Sequence, residues 1–234
     1  MKTEWIQINA QDGGQYGAYL ALPPAGTGPG LVLFQEIFGV NAHIRAVAEQ
    51  YAMDGFVVLA PDVFWRDAPR VELGYSGADY DRAIELMKAA KPEHLAADIK
   101  TTVAALRTRT EVDAAGGKVG AIGYCMGGRL AYIAAADPGV DAAVCYYGGG
   151  IHDQLDRSAA ITCPIQFHYA EQDHAIPLPK VEEVRSAFAG KAAELHVYPR
   201  ATHGFNCWAR ASYHAPSAAL AHGRALQFLA RHLY

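Results

Sequence analysis

Three side chains in the second half of the chain combine types and placement suited to acyl transfer. Cys125 stands in Gly123-Tyr124-Cys125-Met126-Gly127, followed by Gly128. A glycine two positions either side of a nucleophile is what a sharp strand-to-helix turn demands, because side chains there would collide while the central residue takes a strained backbone. Such a turn lifts the sulfur to the top of a sheet and sets it at a helix N-terminus, whose partial positive charge favours thiolate over thiol. The next backbone N–H, that of Met126, points to where an oxyanion would form. Asp173 follows the run Ile165-Gln166-Phe167-His168-Tyr169-Ala170-Glu171-Gln172, and His203 lies in Pro199-Arg200-Ala201-Thr202-His203-Gly204. In this arrangement Cys125 attacks a carbonyl, His203 pairs with the thiolate and moves the proton, and Asp173 orients the imidazole. His174 competes for the histidine role, but its place beside the acid marks it as a loop residue. The plain alternative for Cys125 is a small buried hydrophobe.

These residues need elements to bring them together. Short β-branched or aromatic runs read as buried strands at 31–35, 56–60, 119–123, 142–147, 165–169 and 195–198. Helical spacing fills the stretches 44–53, 80–88, 95–107, 127–136, 178–188 and 216–233. Ahead of them, 5–8 and 15–22 read as an antiparallel hairpin at one edge. Alternating strands and helices predict a mostly parallel sheet with helices on both faces, an α/β class. Cys125, Asp173 and His203 all fall just past strand ends, where ligands gather in such sheets. Neither a repeat nor a long linker interrupts residues 1–234, so one domain is expected.

Composition narrows the class of protein. Of 234 residues, 51% are hydrophobic and 19% charged, enough apolar mass for a sizeable core and too little charge for a disordered chain. A formal net charge of −4 argues against nucleic-acid binding, which calls for a clustered basic excess. No apolar run approaches the ~18 residues of a membrane span, and no apolar segment of signal-peptide length follows Met1-Lys2-Thr3-Glu4-Trp5. A cytoplasmic monomer is the expectation. The four cysteines, Cys125, Cys145, Cys163 and Cys207, form no Cys-x-x-Cys pair, so free thiols are expected. The histidines show no ligand spacing beside a carboxylate, and no metal is expected. Phe34-Gln35-Glu36-Ile37-Phe38-Gly39 ends an apolar strand on a carboxylate. Glu36 is either the first polar residue after that strand or a carboxylate near the thiol, where it would compete for the proton.

Together these residues resemble the dienelactone hydrolase family, the carboxymethylenebutenolidases. The resemblance rests on Gln35-Glu36-Ile37-Phe38-Gly39-Val40-Asn41, Ala60-Pro61-Asp62, Gly123-Tyr124-Cys125-Met126-Gly127-Gly128, Tyr146-Tyr147-Gly148, Glu171-Gln172-Asp173 and His203-Gly204-Phe205. The nucleophile–acid–histidine order is also that of α/β-hydrolases. The resemblance implies an α/β-hydrolase fold, a Cys125–His203–Asp173 triad, and an oxyanion hole from the N–H groups of Ile37 and Met126. It implies a thiol gated by Glu36, which takes the thiol proton when an anionic substrate binds, and no cofactor. Arg82 matches one of two arginines that hold the substrate carboxylate in the family, and Phe38 is placed at the substrate. The position of the second arginine is occupied here by Cys207, with Arg210 nearby. Trp65 and Trp208 suggest an aromatic pocket rim, with ordinary packing the alternative for either. The implied substrate is a small ester or lactone, including anionic ones. Two alternatives stand beside it: a hydrolase of neutral esters or thioesters using the same triad, and a non-catalytic relative whose Cys125 senses redox state or binds a ligand.

Overall fold

Five strands of the computed structural model, which describes all residues Met1–Tyr234, are buried at every position: β3 (Gly30–Phe34), β4 (Val57–Pro61), β5 (Val119–Tyr124), β6 (Ala142–Tyr146) and β7 (Ile165–Ala170). Continuous apolar runs of this kind are the mark of strands covered on both faces. Two further strands precede them, β1 (Lys2–Asn9) and β2 (Gln15–Leu22), and β8 (Ala193–Tyr198) follows. The helices are α1 (Ala42–Met53), α2 (Gly77–Ala89), α3 (Pro92–Arg107), the single turn α4 (Thr110–Asp113), α5 (Met126–Ala135), α6 (Leu178–Ala187) and α7 (Ala215–Leu233). The strands and helices predicted from periodicity are all present, with ends shifted by a few residues. The short α4 and a 3₁₀ turn at Leu155–Ala159 lie below the length at which periodicity is readable.

By its contacts the chain divides into two compact units, Met1–Gly120 and Ala121–Tyr234. In the first, β1 and β2 form the expected antiparallel hairpin, paired from Lys2↔Leu22 to Asn9↔Gln15. β2 continues antiparallel to β4, and β3 runs parallel to β4 with Gly30 opposite Val57. Parallel pairing needs a crossover, which α1 supplies while packing on β4. Its start is fixed by Asn41, whose side-chain oxygen accepts the Ile44 N–H at 3.2 Å. α3 packs on β3 and starts at Pro92, where a missing N–H costs nothing. Arg66 reaches both Asp12 and Asp98, and Trp65 donates to Asp98 Oδ2 at 2.8 Å while stacking on Tyr16. Trp65 is therefore held in the packing between α3 and the start of the chain.

In the second unit β6, β7 and β8 are all parallel, with Cys145 opposite Phe167 and His168 opposite His196. α5 and α7 pack on β6. Leu130, Tyr132, Phe167 and Leu229 are each fully buried there, at about 1.5–3 kcal/mol for a large apolar side chain. Parallel strands start together and end together, so the loops after β5, β7 and β8 emerge at one edge. No helix of the chain is long and apolar enough to cross a membrane.

Candidate active site

The turn between β5 and α5 is built for the residue at its apex. Cys125 has φ 56° and ψ −117°, a conformation that ordinary residues avoid, and α5 begins at the next residue. The flanking glycines are there because nothing larger fits. A Cβ on Gly123 would lie 2.0 Å from the Gly127 carbonyl oxygen, and one on Gly128 would lie 2.5 Å from that of Tyr146. The Cys125 N–H donates to the Tyr146 carbonyl at 3.0 Å, and its own carbonyl accepts the Gly128 N–H at 3.0 Å, opening the helix. The thiol is half-buried.

His203 stands between the thiol and an acid. Its Nε2 lies 3.1 Å from Cys125 Sγ and its Nδ1 lies 2.7 Å from Asp173 Oδ2. The Asp173 side chain is fully buried, and its other oxygen accepts the N–H groups of Ala175 at 2.9 Å and Ile176 at 3.2 Å. With both oxygens committed, Asp173 holds Nδ1–H as a donor and directs Nε2 at the sulfur. The two loops are tied to each other: the Gln172 N–H donates to the Ala201 carbonyl, the Glu171 N–H to that of Tyr198, and the Arg200 N–H to the Glu171 carboxylate. Burial disfavours a charged imidazole, but the negative charge on Cys125 and the hydrogen bond to Asp173 outweigh it and raise His203 from 6.5 to about 10. The raised value keeps the His203 imidazole charged at neutral pH, held between the Asp173 carboxylate and the Cys125 sulfur.

The remaining candidates are distributed as follows. His174 is exposed and takes no part in this constellation. Cys145 and Cys163 are free thiols, one buried in β6 and the other donating to the Ala135 carbonyl at 3.7 Å. Burial raises both, Cys163 to about 11, so neither is activated. Cys207 is fully buried. The Arg210 guanidinium packs on Gly204, the residue after His203, with Nη1 2.6 Å from where a Cβ would lie; Gly204 has φ 81°. Trp208 is 44% exposed in the same loop.

In the first unit Glu36 and Ile37 follow β3 directly and both are buried, Glu36 to 1% exposure. Phe38 is buried edge-on against Tyr75, with centroids 4.5 Å apart. Arg82 lies on α2 with its side chain 48% exposed and paired to Glu85 at 2.9 Å.

One residue of the second unit was quoted from sequence within a motif but given no role. Tyr147, the first residue after β6, has φ 34° and its ring centroid is 5.1 Å from that of His203. Its sequence signals are its place in the motif Tyr146-Tyr147-Gly148 and its position past a strand end.

Comparison with known proteins identifies the family. The family model for the dienelactone hydrolase family matches residues 16–233. A carboxymethylenebutenolidase of Pseudomonas putida is 37% identical over 232 residues, covering 98% of this chain and 97% of the relative. Another, from a Pseudomonas species, is 36% identical over 233 residues, covering 99% and 96%. Among solved structures, a Klebsiella pneumoniae protein provisionally described as a dienelactone hydrolase superposes with a TM-score of 0.87 at 29% identity, covering 99% of both chains. The chain belongs to the dienelactone hydrolase family.

Proposed function

We propose that this protein is a cysteine-dependent carboxylic ester hydrolase acting on small lactones or esters through a thioester intermediate. The observation that carries the reading is the contact of 3.1 Å between His203 Nε2 and Cys125 Sγ, with Asp173 behind the ring. The Cys125 thiolate adds to the ester carbonyl, forming a C–S bond. As the C–O bond to the leaving group breaks, His203 gives its Nε2 proton to the departing oxygen. In a lactone that oxygen stays attached to the acyl chain as a new hydroxyl. Water then attacks the thioester, His203 takes a proton from it, and the thiolate leaves. Asp173 keeps the imidazole in one tautomer and stabilises its charged form. The N–H groups of Met126 and Ile37 supply the oxyanion hole, and Glu36 gates the thiol proton. The family match running through both units supports their acting as one α/β-hydrolase domain.

For the substrate, Arg82 and Phe38 are assigned to binding, and the guanidinium of Arg210 against Gly204 supports recognition of a carboxylate beside His203. A second reading, hydrolysis of neutral esters or thioesters by the same triad, is favoured by the buried Cys207 and by the pairing of Arg82 with Glu85. Comparing kcat/KM for an anionic dienelactone with that for a neutral ester of similar size separates the two. Preference for the anion supports the first and preference for the neutral ester the second.

The direct test of the nucleophile is Cys125→Ala. Hydrolysis of activated esters and of dienelactone should vanish while circular dichroism and the thermal midpoint stay near native. Retained turnover would contradict the assignment.

A further inference from the structure

We propose that Tyr147 is a positioning residue for His203, its ring holding the imidazole on the line between Cys125 and Asp173; this rests on the Cys125–His203 reading above. Two independent observations lead to it. The first is backbone strain. A bulky aromatic residue at positive φ is an outlier that persists only where the surroundings over-determine it. Tyr147 is fully buried at φ 34°. The second is where the strained backbone sends the side chain. Its ring meets the His203 imidazole at 5.1 Å between centroids and 62° between planes.

The surroundings that hold Tyr147 can be traced bond by bond. Its N–H donates to the His168 carbonyl at 2.7 Å, while the carbonyl of the preceding Tyr146 accepts the Cys125 N–H at 3.0 Å. This dipeptide therefore joins the apex of the elbow to β7. Tyr146 is fixed by stacking on the His168 ring at 4.3 Å and 15°. On the remaining side Phe205, two residues after His203, contacts the Tyr147 ring at 5.4 Å, and Tyr198 backs Phe205 at 5.0 Å.

The ring's effect on His203 follows from its electronic shape. A cation over the face of an aromatic ring, within about 6 Å of its centroid, is stabilised, more strongly when both are desolvated. The charged groups facing His203 are Cys125 from the elbow and Asp173 from the loop after β7. Tyr147, from the loop after β6, adds a polarisable wall that keeps the ring from rotating off those two partners.

The test uses Tyr147→Gly, which tolerates positive φ, Tyr147→Met, which fills part of the volume, and Tyr147→Phe, which keeps the ring. Steady-state kinetics on an activated ester are read beside the NMR titration of the His203 imidazole, assigned with His203→Gln. Gly and Met should lower kcat tenfold or more with KM within twofold. They should also move the His203 titration toward neutral pH, and Phe should restore both readouts. An unmoved titration in Gly and Met overturns the proposal even if kcat falls, since packing alone then explains the loss. A Phe variant as impaired as Gly overturns it too. The titration does not require turnover, so failure of the hydrolase reading, seen as activity surviving in Cys125→Ala, is registered separately.

Discussion

His203 lies in the loop after β8 between Cys125 and Asp173, whereas His168 lies inside β7 between Gln166 and Tyr198. Both are buried from water to a large degree, and both use both ring nitrogens. The difference is in what faces them. His168 Nε2 donates to the Gln166 side-chain oxygen at 2.8 Å, Gln166 Nε2 in turn donates to Glu194 at 2.7 Å, and His168 Nδ1 accepts the Tyr198 hydroxyl at 2.8 Å. Its immediate partners are neutral dipoles. Burial, reinforced by the positive charges of His196 and Arg224, pushes its pKa well below 6.5. His203 faces the Cys125 sulfur and the Asp173 carboxylate and is raised to about 10 despite its burial. Burial sets the stakes, and the charge of the partners sets the sign. In the proposed mechanism one imidazole is a proton carrier and the other a structural strut.

The strongest way to break this contrast is to delete each ring. His203→Gln should lower kcat/KM by about 10³-fold, within the range for a general acid–base, while the protein remains folded. A loss below tenfold would place the proton transfer elsewhere. His168→Leu should do the reverse. Leaving the Gln166 oxygen and Tyr198 hydroxyl unsatisfied costs roughly 2–5 kcal/mol of stability, yet kcat/KM of the folded enzyme should stay within tenfold of native. Urea unfolding and active-site-normalised kinetics read the two quantities. Equal effects of the two variants on both would erase the distinction.

The charge states sharpen it further. A raised pKa means that the His203 proton stabilises the fold fully below pH 6.5 and that this contribution is lost as pH rises through about 10. A lowered pKa means the opposite for His168: stability falls as pH drops below 6.5, because the unfolded chain takes a proton the buried ring refuses. Stability profiles should therefore lose part of their alkaline decline in His203→Gln and part of their acid decline in His168→Leu. Crossed or unchanged limbs would show the two charge assignments to be wrong. The smallest effect is expected for Tyr198→Phe, which removes the donor to His168 Nδ1 and should cost about 1–3 kcal/mol. No measurable change in its urea midpoint would mean that this hydrogen bond adds nothing.

The asymmetry between these sites also explains what could be read from sequence. Cys125 was legible because its turn excludes side chains at Gly123 and Gly128, and steric exclusion leaves a mark in residue type. Asp173 and His203 were legible because a parallel sheet delivers its strand ends to one edge. His168 left a weaker mark. Gln166 and His168 alternate with Ile165, Phe167 and Tyr169, which in isolation is the pattern of a strand with one wet face; here both faces are buried and the polar side chains satisfy one another. Tyr147 was invisible as a strained residue, since its positive φ is imposed by its contacts with His168 and the elbow rather than by its own type. Trp65 stayed ambiguous, because an indole near a pocket and an indole donating to Asp98 have the same sequence signature.

The central claim is that Cys125 carries the acyl group. Acid quenching during turnover of an activated ester, followed by peptide mass mapping, tests it directly. The account predicts an acyl adduct confined to the peptide bearing Cys125 and absent in Cys125→Ala. An adduct on another residue, or turnover persisting in Cys125→Ala, would contradict it.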